Sequence, residues 1–191
     1  GGTSYDAFIS HTQRNKIATT YVEKLGPSLN QRGFKKIWTD VNMKEQNVDA
    51  MKSGVMNSAC VIAFISGDII DPSTPENPKE GNAFFRREYC KMELRCAIEN
   101  KIPIILVADH ADMASDMIGT FCNQAPDDLK FLFNQQVIKL DRSNPFMWKG
   151  SMDNLVVKMK GFRDGMSNEL RQAYDTSRSI LNELKLQHAG N

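Results

Sequence analysis

Two uninterrupted apolar runs constrain the fold of this chain more than any other feature of its sequence. Residues 60–65 read CVIAFI, and residues 104–107 read IILV. Short runs that are apolar at every position and rich in β-branched side chains are typical of strands covered on both faces, as in a parallel sheet. We therefore expect both runs to be buried strands of a parallel sheet.

Three further short runs and several helical patterns flank these two strands. Residues 5–10, 36–39 and 136–140 predict strands, and apolar residues at three- and four-residue spacing predict helices between them. The predicted helices cover residues 17–31, 48–57, 84–101, a short segment around 113–121, and 153–162. The second helix is expected to turn four apolar residues toward the core, namely Val48, Met51, Val55 and Met56.

The order strand–helix, repeated five times, predicts the fold class. It is typical of an α/β fold with a flavodoxin-like, doubly wound, five-stranded parallel sheet and helices on both faces. Residues 1–163 contain the five units, and residues 164–191 predict a C-terminal helical extension. Packing of this extension on the same domain is favoured. A self-association helix and a linker to a neighbouring domain are the alternatives.

The composition excludes several classes of function. The 191 residues carry a net charge of +1, with 41% hydrophobic and 25% charged residues. Neither nucleic acid nor an anionic membrane is therefore expected as the main partner. No apolar run approaches the length of a membrane span. We expect no secretory leader, and we expect the source protein to extend beyond this chain.

The cysteines indicate the redox environment. The four residues form no CxxC pair and no cluster with histidine at zinc-ligand spacing. Buried free thiols in a reducing compartment are therefore favoured over disulfides or a metal site. We expect a cytoplasmic domain with no bound metal and with four buried thiols, those of Cys60, Cys90, Cys96 and Cys122.

Topology alone predicts where a ligand would bind. In open α/β sheets the site lies beyond the carboxyl ends of the strands, where the strand order reverses. For the order 2-1-3-4-5 the reversal falls between strands one and three, next to loops 10–15, 40–47 and 66–85. The helix after the third strand begins at the last of these loops. Tyr89 and Glu93, one turn apart, are therefore predicted to face this cleft.

Two candidate residues each have two interpretations. Glu93 borders the apolar stripe of its helix, so it is either a half-solvated acid paired with Lys or Arg, or an acid held in a pocket. The helix pattern alone favours the first, and the topology together with Tyr89 favours the second. His11 lies in a predicted site loop, but by itself it is expected to be an exposed loop residue. No GxxxxGK[ST] or GxGxxG phosphate-binding sequence is present.

Five stretches, in order along residues 4–163, resemble the boxes of the TIR (Toll/interleukin-1 receptor) domain family. YDAFISH at 5–11 resembles the first strand and loop, IWTD at 37–40 the second strand, and residues 58–66 the third strand. YCKMEL at 89–94 resembles the (W/Y)CxxEL signature, and KIPI at 101–104 resembles the fourth strand. In the enzymatic members of this family, a glutamate follows an aromatic residue by four positions, as Glu93 follows Tyr89.

The resemblance implies an NAD+ nucleohydrolase that gives nicotinamide and ADP-ribose, or a cyclic ADP-ribose isomer, with NAD+ as substrate and no cofactor. Glu93 is the implied catalytic residue, because a carboxylate stabilises the oxocarbenium-like ribosyl centre. Arg14 is expected to bind phosphate and Tyr89 to stack on a base. The implied substrate-binding residues are Ser10, His11, Thr12, Gln13, Arg14, Trp38, Asp40, Glu45 and Tyr89.

The resemblance also implies partners. Enzymatic TIR domains self-associate, so homo-oligomerisation with other TIR domains in immune or cell-death signalling is expected. The alternative is a non-enzymatic signalling module that acts through TIR–TIR assembly alone. Turnover of NAD+ that depends on Glu93 distinguishes the two.

Overall fold

A five-stranded parallel sheet forms the centre of the molecule in a computed structural model, which describes residues 3–39, 47–68 and 83–190. Neighbouring strands lie in the order β2-β1-β3-β4-β5, and all four pairs are parallel. This order confirms the predicted fold class and the reversal between β1 and β3. The strands are β1 (Ala7–Ser10), β2 (Ile37–Thr39), β3 (Val61–Ile65), β4 (Ile104–Asp109) and β5 (Ile138–Leu140).

Helices connect the strands and cover both faces of the sheet. Polar side chains cap the first turns of several helices, as Asn15 does for α1 and Ser167 does for α7 by accepting hydrogen bonds from backbone N–H groups. The helices of the described residues are α1 (Lys16–Gln31), α2 (Val48–Met56), α3 (Glu88–Glu99), α4 (His110–Ala114), α5 (Ile118–Gln124), α6 (Pro145–Gly161) and α7 (Asn168–Ala189), with 3₁₀ turns at Phe84–Arg86 and Lys130–Asn134.

The core consists of two apolar layers, one on each face of the sheet. Side chains of β3 alternate between them, so Val61, Ala63 and Ile65 meet α2, α3 and α5. Ile62 and Phe64 face the opposite layer with α1 and α6. All five β3 side chains are fully buried. The prediction that residues 60–65 form a strand covered on both faces is therefore confirmed.

The sequence pattern predicted one continuous helix over residues 84–101, but the structure has a turn before a shorter helix. Phe84–Arg86 form a 3₁₀ turn, Arg87 is extended, and α3 begins at Glu88. The backbone N–H of Phe84 donates to the carbonyl of Ser66, which fixes this turn against the end of β3. A tertiary hydrogen bond therefore overrides the helical pattern of the aromatic residues.

Three smaller expectations also need correction. The last helix of the sheet domain begins at Pro145 rather than at 153, because Asn144 caps it and Pro is favoured in the first turn. The short helix expected around 113–121 is two helices, α4 and α5, separated at Asp116, whose φ of 58° ends the first. Met56 does not face the core; 52% of it is exposed.

The C-terminal helix α7 docks on the α3 side of the sheet through its first half. Tyr174 is buried there, and its hydroxyl donates to the carbonyl of Ile102 at 2.9 Å. The hydroxyl of Ser177 donates to the carbonyl of Asp128 at 2.6 Å. Exposure rises toward the end of the helix, where Leu186 is 73% exposed. Among the described helices, none is long and apolar enough to span a membrane.

Candidate active site

Glu93 lies in a pocket rather than at a solvated helix edge. It sits in the second turn of α3 and is only 1% exposed. The hydroxyl of Ser10, the last residue of β1, donates a hydrogen bond to its carboxylate. Because β1 ends at the reversal of strand order, this bond places the acid where topology predicted a ligand site. The alternative of a half-solvated acid is wrong.

A cavity of about 310 Å³ opens beside Glu93. It lies beyond the carboxyl end of β1, between residues 11–14 and the segment 86–93 that leads into α3. Cavities of roughly 300–1,000 Å³ are typical of small-molecule sites. The described part of the site therefore has room for part of a dinucleotide, such as a base with its sugar.

Burial divides the cavity wall into two parts. The floor consists of the four buried residues, His11, Thr12, Cys90 and Glu93. The rim consists of the exposed and half-buried residues, Gln13, Arg14, Arg86, Arg87, Glu88 and Tyr89. The floor holds one carboxylate and otherwise uncharged groups, whereas the rim holds three guanidinium groups and one carboxylate. The two parts are suited to different chemical groups of one ligand.

His11 is not the exposed loop residue that its sequence position favoured. It follows β1 directly and is 4% exposed. Burial lowers the pKa of its imidazole from 6.5 to about 4, because the charged form loses its hydration. The ring is therefore neutral at pH 7. Neither ring nitrogen has a hydrogen-bond partner in the described structure, and the buried hydroxyl of Thr12 likewise has none.

Two side chains that sequence reasoning missed support the loops around the site. The Asn15 side chain caps α1 and donates from Nδ2 to the carbonyl of Gly67 at 3.1 Å. The Asp68 carboxylate accepts from the N–H of Ala83 at 3.1 Å and from Nε of Arg86 at 2.9 Å. These bonds connect the loop after β1 to the end of β3, and the end of β3 to the entry of α3. Asn15 had a sequence signal, since it directly precedes a helical pattern.

The predicted substrate-binding residues do not all meet at this cavity. Ser10, His11, Thr12, Gln13, Arg14, Tyr89 and Glu93 are brought together around it. Trp38 instead stacks on Phe8, with ring centroids 4.6 Å apart, and is not part of the described cavity wall. Asp40 and Glu45 lie outside the residues that the structure describes. Arg86 and Arg87, which were not predicted, belong to the rim.

A second cavity lies between α2, α3 and α7, away from Glu93. It measures about 590 Å³ and is larger than the first. One of its walls contains an ion pair in which Arg95 donates twice to the Asp128 carboxylate, at 2.9 Å in both bonds. It lies away from the carboxyl ends of the strands, where α/β sheets bind ligands. We therefore assign the candidate active site to the smaller cavity.

The fold and the switch-point cleft define a flavodoxin-like α/β domain with an acidic residue at its candidate ligand site. The family model described as "TIR domain" matches residues 7–128, which is more than half of the chain. The chain therefore belongs to the TIR domain family. No curated protein matches the chain.

Solved structures are similar to this chain at low sequence identity. The TIR domains of the activated Roq1 resistosome, which directly recognises the pathogen effector XopQ, are 13% identical with a TM-score of 0.50, and the match covers 82% of this chain and 99% of theirs. Two structures of a metazoan TIR-STING receptor from C. gigas are each 18% identical to this chain. The complex with 2′,3′-cGAMP has a TM-score of 0.47, and the other structure has a TM-score of 0.45. Those matches cover 78% of this chain and 40% of the receptor.

Proposed function

We propose that this TIR domain is an NAD+ nucleohydrolase that cleaves the bond between nicotinamide and ribose. The observation that carries the proposal is the buried Glu93 carboxylate, which accepts a hydrogen bond from Ser10 on the floor of a switch-point cavity. A buried acid beside a cleft is a common sign of a functional site, because burial of an acid is costly and a purely structural position seldom requires one.

One carboxylate is enough for this reaction. The bond from ribose C1′ to the pyridinium nitrogen breaks, and its electron pair neutralises the nicotinamide ring, so the leaving group needs no general acid. Positive charge develops on the ribosyl centre, as in glycoside hydrolysis. Glu93 stabilises that charge, and its effect is strong because the acid is buried, where charges are screened less than in water. Water then adds at C1′ and releases a proton to give ADP-ribose; attack by an adenine nitrogen instead gives a cyclic isomer.

The rim supports binding of the rest of the dinucleotide. Arg14 and Arg87 carry guanidinium groups that bind phosphate oxygens with charge-assisted hydrogen bonds. Tyr89 is half-buried one turn before Glu93, where its ring stacks on a base. We further propose that the domain acts after self-association with other TIR domains, in immune or cell-death signalling in the cytoplasm.

The test is release of nicotinamide from NAD+, followed by chromatography over a series of protein concentrations. We expect turnover by the wild type and a loss of roughly 100-fold or more in Glu93→Gln and Glu93→Ala, as for removal of a transition-state charge. Glu99→Gln is the matched control, because Glu99 is an exposed acid at the end of the same helix. If the wild type shows only background turnover at every concentration, the proposed enzymatic activity is contradicted. A non-enzymatic module that acts through TIR–TIR assembly is then favoured. Turnover retained in both Glu93 variants contradicts the role of Glu93.

A further inference from the structure

Two consecutive residues on the floor, His11 and Thr12, present three polar atoms without partners. Both ring nitrogens of His11 and the hydroxyl oxygen of Thr12 are buried and form no hydrogen bond in the described structure. Native proteins pair nearly all their buried polar groups, because each unpaired group loses its hydration without compensation. Both residues line the cavity that also contains Glu93, so a polar group of a bound ligand is a suitable partner for these atoms.

The chemistry of the two side chains indicates which group they receive. A neutral imidazole offers one N–H donor and one acceptor nitrogen, and a hydroxyl offers one donor and two acceptor sites. Burial keeps the His11 ring neutral, so it provides no positive charge for an anion. A primary carboxamide carries the complementary set, a carbonyl acceptor and an NH₂ donor. A phosphate offers only acceptors and matches the arginines of the rim better.

We propose that His11 and Thr12 form a subsite for the carboxamide of the leaving nicotinamide. The inference rests on the proposed function and deepens it, because it assigns the orientation of the substrate in the cavity. The nicotinamide lies on the floor with its ribose beside Glu93, and the phosphates leave toward the rim. His11 and Thr12 thus select for dinucleotides that carry an amide. The phosphate contacts are assigned to Arg14 and Arg87 instead of the loop residues 11 and 12.

The matched variants separate hydrogen bonding from shape. His11→Leu keeps a branched side chain of similar size without a hydrogen bond, whereas His11→Gln keeps both a donor and an acceptor. Thr12→Val replaces the hydroxyl by a methyl group. The two substrates are NAD+ and 3-acetylpyridine adenine dinucleotide, in which a methyl group replaces the amide NH₂. Both are equally charged, so repulsion by Glu93 does not distinguish them.

The measured quantity is the ratio of kcat/KM for NAD+ to that for the acetyl analogue, compared between each variant and the wild type. This comparison cancels the intrinsic difference in reactivity of the two substrates. We expect the ratio to fall about tenfold in His11→Leu and in Thr12→Val, and less than threefold in His11→Gln. We also expect the Tm of His11→Leu and Thr12→Val to equal or exceed that of the wild type, since unpaired polar atoms are removed. An unchanged ratio in His11→Leu and Thr12→Val overturns the subsite while the proposed reaction stands.

Binding of free nicotinamide separates the subsite from the reaction. Saturation-transfer NMR with nicotinamide and the wild type is expected to show binding that weakens at least fivefold in His11→Leu and is kept in His11→Gln. Such binding without turnover of NAD+ contradicts the proposed reaction but supports the subsite. Equal binding, or no binding, in all proteins overturns the subsite.

Discussion

The hydroxyl of Ser10 at the end of β1 donates a hydrogen bond to the carboxylate of Glu93 in α3, across 83 positions of sequence. The bond joins the first and third strand–helix units at the reversal of strand order. Both residues are buried. The position of the acid is therefore determined by the sheet itself, and a bond to a buried anion is among the stronger hydrogen bonds in proteins.

Removal of this donor should affect both stability and turnover. We expect Ser10→Ala to lower the free energy of unfolding by about 1.5–3 kcal/mol, because a buried carboxylate loses a hydrogen bond. Turnover of NAD+ should fall as well, since the acid is less well positioned. Urea denaturation and nicotinamide release measure the two effects. In a Glu93→Gln background, Ser10→Ala should lower the free energy of unfolding by at least ~0.5 kcal/mol less than in the wild type, because the carboxylate is absent. Equal losses in both backgrounds contradict an energetic coupling between Ser10 and Glu93.

The buried His11 should make the protein sensitive to acid. The pKa of its imidazole is about 4 in the folded chain and 6.5 when unperturbed, so the unfolded state binds the proton first as the pH falls. Above pH 6.5 the His11 imidazole is neutral in both states and does not lower the free energy of unfolding. Between pH 6.5 and 4 the unfolded state is protonated first, so the free energy of unfolding decreases. The loss at pH 5 is about 2 kcal/mol.

The replacement His11→Gln should remove this acid sensitivity. The difference between the free energies of unfolding at pH 7 and pH 5, from urea denaturation, should be smaller in His11→Gln by about 2 kcal/mol. His188→Gln, at an exposed position of α7, is the matched control. Equal pH dependence in His11→Gln and the wild type contradicts a buried neutral imidazole.

The fold could be predicted from the sequence because its signals are local and repeated. The apolar runs at β3 and β4 are buried on both faces, and a pattern of that kind has few alternatives. The start of α3 could not be predicted. Phe84 and Phe85 continue the helical pattern, whereas the bond from the N–H of Phe84 to Ser66 and the ion pair between Arg86 and Asp68 impose a turn there. Such bonds depend on segments that meet only in the folded chain.

The candidate site was predictable in position but not in the state of its side chains. Topology placed Tyr89 and Glu93 near the end of β1, and the structure brings them to one cavity with residues 11–14. The burial of His11 has no local signal, because it depends on how the loop after β1 packs in the folded chain. The substrate-binding roles remain predictions, including those of Asp40 and Glu45, outside the described residues.

Replacement of two helix glycines by alanine should change the stability of the protein in opposite directions. A Cβ at Gly54 in α2 would lie 3.0 Å from the Trp38 ring and 3.2 Å from the Phe8 ring. The stacked rings have little room to move, so Gly54→Ala should destabilise by about 1–2 kcal/mol. Gly150 in α6 has open space, and Gly150→Ala should stabilise by about 0.5–1 kcal/mol. Thermal unfolding of both variants measures the signs, and stabilisation in Gly54→Ala contradicts the tight packing.

The ion pair between Arg95 and Asp128 should be important for stability, although it lies away from the candidate active site. The Asp128 side chain is 1% exposed and that of Arg95 is 26% exposed. Arg95→Leu leaves a buried carboxylate without its bidentate partner, so we expect a loss of about 2–4 kcal/mol in urea denaturation. Lys149→Leu breaks an exposed pair with Asp153 and should cost less than about 1 kcal/mol. Equal losses in the two variants contradict the difference in burial.

The docking of α7 predicts that residues 164–191 contribute to the stability of the sheet domain. Tyr174 is 1% exposed, packs against Phe131 with ring centroids 5.8 Å apart, and donates to the carbonyl of Ile102. Tyr174→Ala should therefore lower the free energy of unfolding by about 3–5 kcal/mol, as for other buried aromatic residues. Leu186→Ala, at the exposed end of the same helix, should change it by less than about 0.5 kcal/mol. If both variants unfold at the wild-type urea concentration, the helix is a separate extension, and a chain ending at residue 163 should then be as stable as the whole.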